Sequence, residues 1–220
     1  RFFSNGTNTI RASQFEAITC FARGTRIATA RGEVAVEAQR LGDLVVTARP
    51  DAGLKPILWL GHVTAEVARH PAPEAVAPVL IRTGALGRGM PHRDLRVSPD
   101  HAIFLDGCLV PAKLLVNGRT IVQETWQRRV EYWHVELPAH AVIVSEGALT
   151  ESYQDEANRD QFDNGSVMRL FPDFEARRAN GRYDRAACCP VVRGGPRLDA
   201  IRRRLAGEKP PRAASAPRRA

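Results

Sequence analysis

The sequence predicts an all-β body, and two observations lead to this prediction. From Cys20 onward the chain is a series of short runs rich in β-branched residues, which is typical of strands. Turn residues separate these runs, with Gly24, Gly32 and Gly42 between the first of them. Many short strands at close spacing indicate sheets that pack on each other or close on themselves.

The expected strands follow one another along this body. They cover residues 26–29, 32–37, 43–47, 56–63, 78–83, 102–105, 108–111, 120–123, 130–137 and 141–144. Residues 111–116 are expected to form a short helical turn, and Asn117-Gly118 after them is a tight-turn signal.

The chain changes character after Gly147. Residues 152–159 are polar and typical of a loop, and beyond residue 164 the chain is rich in arginine, alanine and proline. One short amphipathic helix is expected near residues 198–206, where apolar residues recur at helical spacing before Gly207. The C-terminal tail is therefore expected to be largely irregular, with a single helix.

The predicted organisation has three parts: an upstream lead over residues 1–17, a β domain over 18–164, and a basic, partly disordered tail over 165–220. The net charge of +8 is distributed in the same way, because residues 166–220 hold 14 Arg and Lys against 5 Asp and Glu. The body is therefore close to neutral. No aromatic residues lie among the late arginines for base stacking, so a specific nucleic-acid partner is not expected.

Other features of the sequence exclude further classes of protein. No apolar run approaches the roughly 18 residues of a membrane helix, so no transmembrane segment is expected. The chain starts without methionine or the layout of a signal peptide, and is interpreted as a fragment or a processed form. The four cysteines, Cys20, Cys108, Cys188 and Cys189, form no CxxC pair and predict neither a zinc site nor a thioredoxin-type motif.

Three segments stand out as candidates for chemistry. The first runs from Cys20 through Gly24-Thr25 to Gly42-Asp43, the second is Ser98-Pro-Asp-His101, and the third runs from Tyr132 through His140 to Gly147. In this order they resemble the opening block, the Thr-x-x-His block and the late block of Hint domains, the self-processing fold of hedgehog C-terminal domains and inteins. The resemblance covers roughly six tenths of the chain. It is greatest to bacterial hedgehog/intein-type domains that lie near the C-terminus of larger proteins.

The resemblance implies the horseshoe-like, all-β Hint fold and a role for each candidate residue. Cys20 is the expected nucleophile, which attacks the carbonyl of Thr19 and converts the peptide bond into a thioester. His101 is the expected acid that protonates the departing amide nitrogen, since an imidazole can carry a proton near neutral pH. The hydroxyl of Ser98 is expected to bond the scissile amide. His140 is expected either to assist the reaction or to support the site structurally.

Each of these residues also has a simpler interpretation. A cysteine is often a buried core residue, and a single histidine is often part of a turn. Asp100 is expected to be a turn former rather than a catalyst, and His134 is expected to lie on a strand face without a special role. The three blocks together favour the catalytic interpretation of Cys20 and His101.

Departures from the family pattern limit the expected reaction. After Gly147 the chain reads Ala-Leu-Thr-Glu-Ser-Tyr, without the His-Asn pair with which inteins cut their C-terminal junction, so full splicing is not expected. Trp133 replaces the aspartate that follows the late-block tyrosine in many inteins, and Ser98 replaces a threonine while keeping the hydroxyl. The tail has no apolar sterol-binding region, so cholesterol transfer is not expected either.

The predicted function is a single-turnover autoprocessing reaction, an N–S acyl shift at Thr19–Cys20 followed by cleavage or transfer of the upstream segment. The substrate is the protein's own upstream polypeptide, an external nucleophile or thiol is a further candidate partner, and no metal or organic cofactor is expected. The alternative is a catalytically silent Hint-fold module with a structural or interaction role at the C-terminus of a larger secreted or surface protein. The sequence does not determine the cellular compartment, and the resemblance favours a secreted or cell-surface protein. A nucleic-acid-binding module that depends on the basic tail ranks last.

Overall fold

The computed structural model describes residues 19–153 and 187–207. The predicted upstream lead and most of the basic tail lie outside these residues, so the division into three parts stays a prediction. No helix in the described ranges is long and apolar enough to cross a membrane.

Short strands make up nearly the whole body. They are β1 (Phe21–Ala22), β2 (Arg26–Thr29), β3 (Gly32–Ala35), β4 (Leu44–Arg49), β5 (Gly53–Pro56), β6 (Trp59–Ala65), β7 (Val79–Ile81), β8 (Leu95–Val97), β9 (Ala102–Leu105), β10 (Cys108–Pro111), β11 (Ile121–Gln123), β12 (Val130–Glu136), β13 (Val142–Ser145) and β14 (Ala148–Glu151). Short 3-10 turns lie at Val36–Ala38, Val67–Arg69, Pro73–Ala75 and Ala112–Leu115, and one helix, α1 (Gly195–Leu205), follows. The all-β prediction, with one short helix in the C-terminal tail, is confirmed.

The strands form two antiparallel sheets. The smaller has the order β11-β7-β8-β1-β12-β6, and the larger has the order β10-β9-β14-β13-β2-β4-β5, with β3 paired to β2. Within the smaller sheet, Phe21 on β1 opposes Val97 on β8 and Trp133 on β12. Cys20 directly precedes β1, so it lies near the middle of a sheet with a strand on either side.

Apolar side chains of both sheets share one main core. It contains Ile27 and Ile103 of the larger sheet and Leu95 of the smaller sheet, none of which is exposed. Leu198 and Ile201 of α1 pack into the same core. Burying a side chain of this size stabilises the fold by about 1.5–3 kcal/mol. The helix expected in an irregular tail is therefore attached to the β body.

The structure contains strands that the sequence pattern did not predict, namely β1, β5, β8 and β14. β1 and β8 have two and three residues, which is too short to show the alternation of a strand. β14 carries Thr150 and Glu151, which are completely buried and hydrogen-bonded. Buried polar side chains with partners are compatible with a strand. β14 ends just before residues 152–159, the stretch expected to be a loop, and most of that stretch lies outside the described residues.

Two predicted boundaries also differ. The strand expected over 32–37 ends at Ala35, and the residues after it belong to the 3-10 turn Val36–Ala38. The helix α1 begins at Gly195 rather than near residue 198, because Pro196 in its first turn has the fixed φ that suits a helix start.

Candidate functional site

Cys20 and Ser98 face each other because β1 and β8 are paired. Phe21 opposes Val97, which brings the neighbouring residues Cys20 and Ser98 together. The N–H of Ser98 donates to the carbonyl oxygen of Cys20 over 2.9 Å, and the N–H of Cys20 donates to Oγ of Ser98 over 2.8 Å. Both residues are buried. The Ser98 hydroxyl therefore contacts the amide of the Thr19–Cys20 peptide bond, the bond that is expected to be attacked.

A turn after β8 positions His101. Pro99 disfavours a helical conformation at Ser98, and the N–H of His101 donates to the carbonyl oxygen of Ser98 over 3.2 Å. Lys113 contacts this turn twice: its N–H donates to the carbonyl oxygen of Pro99 over 2.8 Å, and its Nζ lies 2.6 Å from Oδ1 of Asp100. Asp100 therefore has the kind of partner that a structural turn residue would have.

The side chain of His101 lies in an apolar environment. The residue is 1% exposed, and its ring packs edge-on against Phe21 with 4.3 Å between the ring centroids. Neither ring nitrogen makes a hydrogen bond of normal geometry within the described ranges. Burial lowers the pKa of His101 to about 4, and Glu151 and the Cys20 main chain oppose this shift only in part. In place of the protonated imidazole expected from the sequence, the resting site therefore holds a neutral ring near pH 7.

The thiol of Cys20 is also uncharged at rest. Cys20 has no exposed surface, and burial raises the pKa of its thiol well above the usual range. It lies in a small apolar cluster with Trp59, Val63 and Tyr132, and the hydroxyl of Tyr132 donates to the carbonyl oxygen of Val76 over 2.8 Å. Because the thiolate is the nucleophilic form, attack by Cys20 requires a base that removes its proton during the reaction.

A buried histidine–carboxylate pair lies next to His101. His140, between β12 and β13, has its Nε2 3.3 Å from Oε2 of Glu151, and both side chains are buried. Oε1 of Glu151 accepts a hydrogen bond from the N–H of Ala102 over 2.6 Å. Ala102 directly follows His101, and the pKa of His101 is raised by Glu151 and lowered by His140. The structure thus brings His140 into the same buried region as the other candidate residues.

Glu151 is a buried acidic residue of this region that the sequence interpretation missed. It lies at the end of β14 and has no exposed surface. Its position in Ala-Leu-Thr-Glu could have indicated that it lies on a strand, because this short run continues the β pattern after Gly147. His134 lies on β12 as expected, but it is buried beside the site: burial and the nearby His101 lower the pKa of His134 well below its usual value. Its lack of a special role stays a prediction.

One group of side chains in the described part of the chain has the spacing of metal ligands. Nε2 of His92 lies 3.1 Å from Oε1 of Glu33 and 3.8 Å from Oε2 of Glu146. Arg93 donates to both carboxylates, and the N–H of Arg26 donates to Oε1 of Glu146 over 2.6 Å. These residues form a network that joins β2, β3 and the turn between β13 and β14, in which the guanidinium of Arg93 pairs with both carboxylates.

The lowered pKa of His101 predicts that acid destabilises the fold. The ring takes up a proton near pH 6.5 in an unfolded chain but only near pH 4 in the folded protein, so the unfolded state binds more protons between these values. The contribution of His101 to stability is complete above about pH 6.5 and is lost as the pH falls toward 4. Between pH 7 and pH 5 the loss is about 2 kcal/mol.

Chemical denaturation of the Cys20→Ala chain between pH 7 and pH 5 measures this loss. Replacing His101 by glutamine in that chain should reduce the pH dependence of the free energy of unfolding by about 2 kcal/mol over the interval. His134 contributes in the same direction, since its pKa is also lowered, and it is present in both chains. Equal pH dependence of the two chains would contradict the lowered pKa of His101.

Residues 19–157, well over half of the chain, match the family model described as the Hint domain. The chain belongs to the Hint family. The match includes Cys20, Ser98, His101 and His140, and the resemblance seen in the sequence is confirmed at the level of the family. Membership of the Hint family supports autocatalytic protein processing in general, in which the domain acts on its own flanking polypeptide.

The Hint domain also resembles solved inteins and intein-like domains at a low level. The bacterial intein-like domain from Clostridium thermocellum is 17% identical, with a TM-score of 0.45 over 62% of this chain and 99% of that chain. The DnaB intein from Synechocystis sp. PCC 6803 is 9% identical, with a TM-score of 0.44 over 62% of this chain and 100% of that chain. No curated protein matches the chain. The family assignment rests on the match to the Hint model.

Proposed function

We propose that this Hint domain carries out an N–S acyl shift at the Thr19–Cys20 peptide bond, followed by cleavage or transfer of the upstream segment without full splicing. The observation that carries the proposal is the 2.8 Å hydrogen bond between the N–H of Cys20 and Oγ of Ser98. A hydroxyl can both accept and donate. It therefore contacts the one nitrogen that must gain a proton when this peptide bond breaks.

The first half of the reaction forms the thioester. Neutral His101 takes the proton of the Cys20 thiol, and Sγ attacks the carbonyl carbon of Thr19 to give a tetrahedral intermediate. The C–N bond then breaks, the nitrogen of Cys20 receives the proton from the imidazolium, and the acyl group of Thr19 remains on Sγ. An imidazolium with a pKa of about 4 is a strong proton donor. The low pKa of His101 therefore suits delivery of the proton to the amide nitrogen. Uptake of the proton from the Cys20 thiol is uphill, because the pKa of the thiol is raised, so it has to occur together with the attack of Sγ on the Thr19 carbonyl carbon.

The second half of the reaction releases the upstream segment. Water or an external nucleophile attacks the thioester carbonyl, the C–S bond breaks, and Sγ of Cys20 regains a proton. Attack by water leaves a free carboxyl group at Thr19, whereas attack by a thiol or an amine leaves a conjugate. We assign to His140 an assisting role in this site, supported by its position against the buried carboxylate of Glu151.

The residues at the C-terminal end of the body favour cleavage or transfer over splicing. No asparagine occurs between residues 141 and 153, where an intein would need one next to the late strands. Ser152 in this place is engaged with Ala141: its N–H donates to the carbonyl oxygen of Ala141 over 2.8 Å, and its Oγ accepts the N–H of Ala141 over 3.0 Å. Within residues 141–153, the cyclisation that cuts the C-terminal junction of inteins therefore lacks its residue, and Asn158 and Asn164 further along the sequence follow Ala157 and Asp163 rather than a histidine.

The proposal is tested by expressing the chain behind a soluble reporter and following its intact mass with and without dithiothreitol. The expected result is a break between Thr19 and Cys20 that the thiol accelerates, because thiolates attack a thioester far more readily than a peptide bond. Hydroxylamine should release the upstream fragment as a hydroxamate at Thr19, which reports the thioester directly.

The alternative is a silent Hint module, and one observation favours it. Cys20 is completely buried and the pKa of its thiol is raised, as in an inert core cysteine. A folded chain that stays intact in dithiothreitol and in hydroxylamine would establish this alternative and reject the proposal.

Replacement of Ser98 by alanine is expected to slow thiol-induced cleavage by roughly two- to tenfold, which corresponds to the loss of one hydrogen bond. Ser98→Thr is the matched variant, because it keeps the hydroxyl and restores the residue that is more usual in the family. It should retain most of the rate in a mass-spectrometric time course. If the alanine and threonine variants cleave equally fast, the hydroxyl has no part in the reaction.

A further inference from the structure

Residues 187–192 run back along the β body and are held there by main-chain hydrogen bonds. The N–H of Leu109 on β10 donates to the carbonyl oxygen of Pro190 over 2.9 Å, and the N–H of Val192 donates to the carbonyl oxygen of Leu109 over 2.8 Å. The helix α1 follows directly, and two of its side chains are buried in the main core. The hydrogen bonds to β10 and the buried helix that follows therefore fix the position of residues 187–192, called the return segment below.

The return segment contacts the candidate site through one main-chain group. The N–H of Cys188 donates to Nδ1 of His140 over 3.0 Å. A ring nitrogen that accepts a hydrogen bond carries no proton, so the proton of the neutral ring lies on Nε2. This nitrogen faces Oε2 of Glu151 at 3.3 Å, and Oε1 of Glu151 accepts the N–H of Ala102, the residue after His101. A continuous series of polar contacts thus connects the return segment with the turn that carries His101.

We propose that Cys188 is a positioning residue of the processing site, whose main-chain N–H holds His140 in the Nε2–H tautomer, with Nε2 beside Glu151. The inference deepens the proposed function and rests on it. It also implies that the working site extends beyond residues 19–157, which match the Hint model, to a segment that the sequence assigns to the tail.

The thiol of Cys188 is not the group that we assign this role. Burial and the neighbouring Cys189 raise the pKa of the Cys188 thiol to about 12, so the side chain is an uncharged thiol at neutral pH. The main-chain N–H is present in every residue except proline. Cys188→Ala therefore keeps the proposed contact, and Cys188→Pro removes it.

The first test reads the tautomer of His140 by nitrogen NMR of histidine-labelled protein, in the Cys20→Ala background so that the chain stays intact. The chain with Cys188 and the Cys188→Ala variant should both show a protonated Nε2 at His140, and Cys188→Pro should lose this preference. A scalar coupling across the hydrogen bond between the Cys188 nitrogen and Nδ1 of His140 gives the same information without any change at Cys188. Absence of this coupling in the folded chain would overturn the inference even if the proline variant failed to fold.

The second test compares thiol-induced cleavage in chains that keep Cys20. Cys188→Ala should cleave at the original rate, and Cys188→Pro should be slower by roughly two- to tenfold, the equivalent of one hydrogen bond. An equal loss in both variants would assign the effect to the thiol and reject the inference. The NMR result does not depend on cleavage. A tautomer change in a chain that never cleaves would therefore reject the proposed function alone, and an unchanged tautomer in a chain that cleaves would reject only the role of Cys188.

Discussion

Replacement of Cys20 by alanine is expected to abolish cleavage at Thr19–Cys20, with and without dithiothreitol. The reaction has a single nucleophile in our proposal, and alanine has no atom that can form the thioester with Thr19. The measurement is the intact mass of the reporter fusion over time, and the mutant should remain a single species while the original chain divides.

Two matched variants separate this chemical effect from an effect on folding. Cys108 is as completely buried as Cys20, and its Sγ donates to the carbonyl oxygen of Leu105, so Cys108→Ala removes a core thiol elsewhere and should still cleave. Cys20→Ser keeps a weaker nucleophile and should lose the acceleration by thiol, because an ester exchanges with thiols much less readily than a thioester. Cleavage of the Cys20→Ala chain at the same bond would contradict the proposal.

Replacement of His101 by glutamine is expected to slow thioester formation by about 10²–10⁴-fold, the usual contribution of a positioned acid–base group. The reason lies in the resting state of the site. The pKa of the Cys20 thiol is raised and that of His101 is lowered to about 4, so neither group is charged until the proton moves. Without the imidazole, the thiol has to lose its proton to a distant acceptor.

The matched control for this prediction is His134→Gln. His134 is also 1% exposed and the pKa of His134 is also lowered by burial, so the two substitutions disturb the core in a similar way. Single-turnover rates in dithiothreitol should fall far more for His101→Gln than for His134→Gln. Equal losses would indicate that burial of a polar ring, rather than proton transfer by His101, explains the effect.

Some residues of the site could be predicted from the sequence and others could not. Ser98 and His101 are three residues apart within one turn, and Cys20 precedes a glycine-threonine turn, so local motifs point to all three. Glu151 escaped prediction because an isolated acidic residue after a turn usually lies at the surface. Partners from distant segments, among them Ala102 and His140, make its burial favourable.

The sequence by itself determined the all-β class, the Hint family and the candidates Cys20, Ser98, His101 and His140, because strand patterns, turn residues and motif spacing are local properties of the chain. Only the tertiary structure decided the charge of Cys20 and His101 at rest. The pKa of a buried side chain depends on how much water is removed from it and on which charges lie nearby, and both come from segments far apart in the sequence. The contact of the Cys188 N–H with His140 is hidden from the sequence for a related reason, since a main-chain donor is the same in nearly every residue.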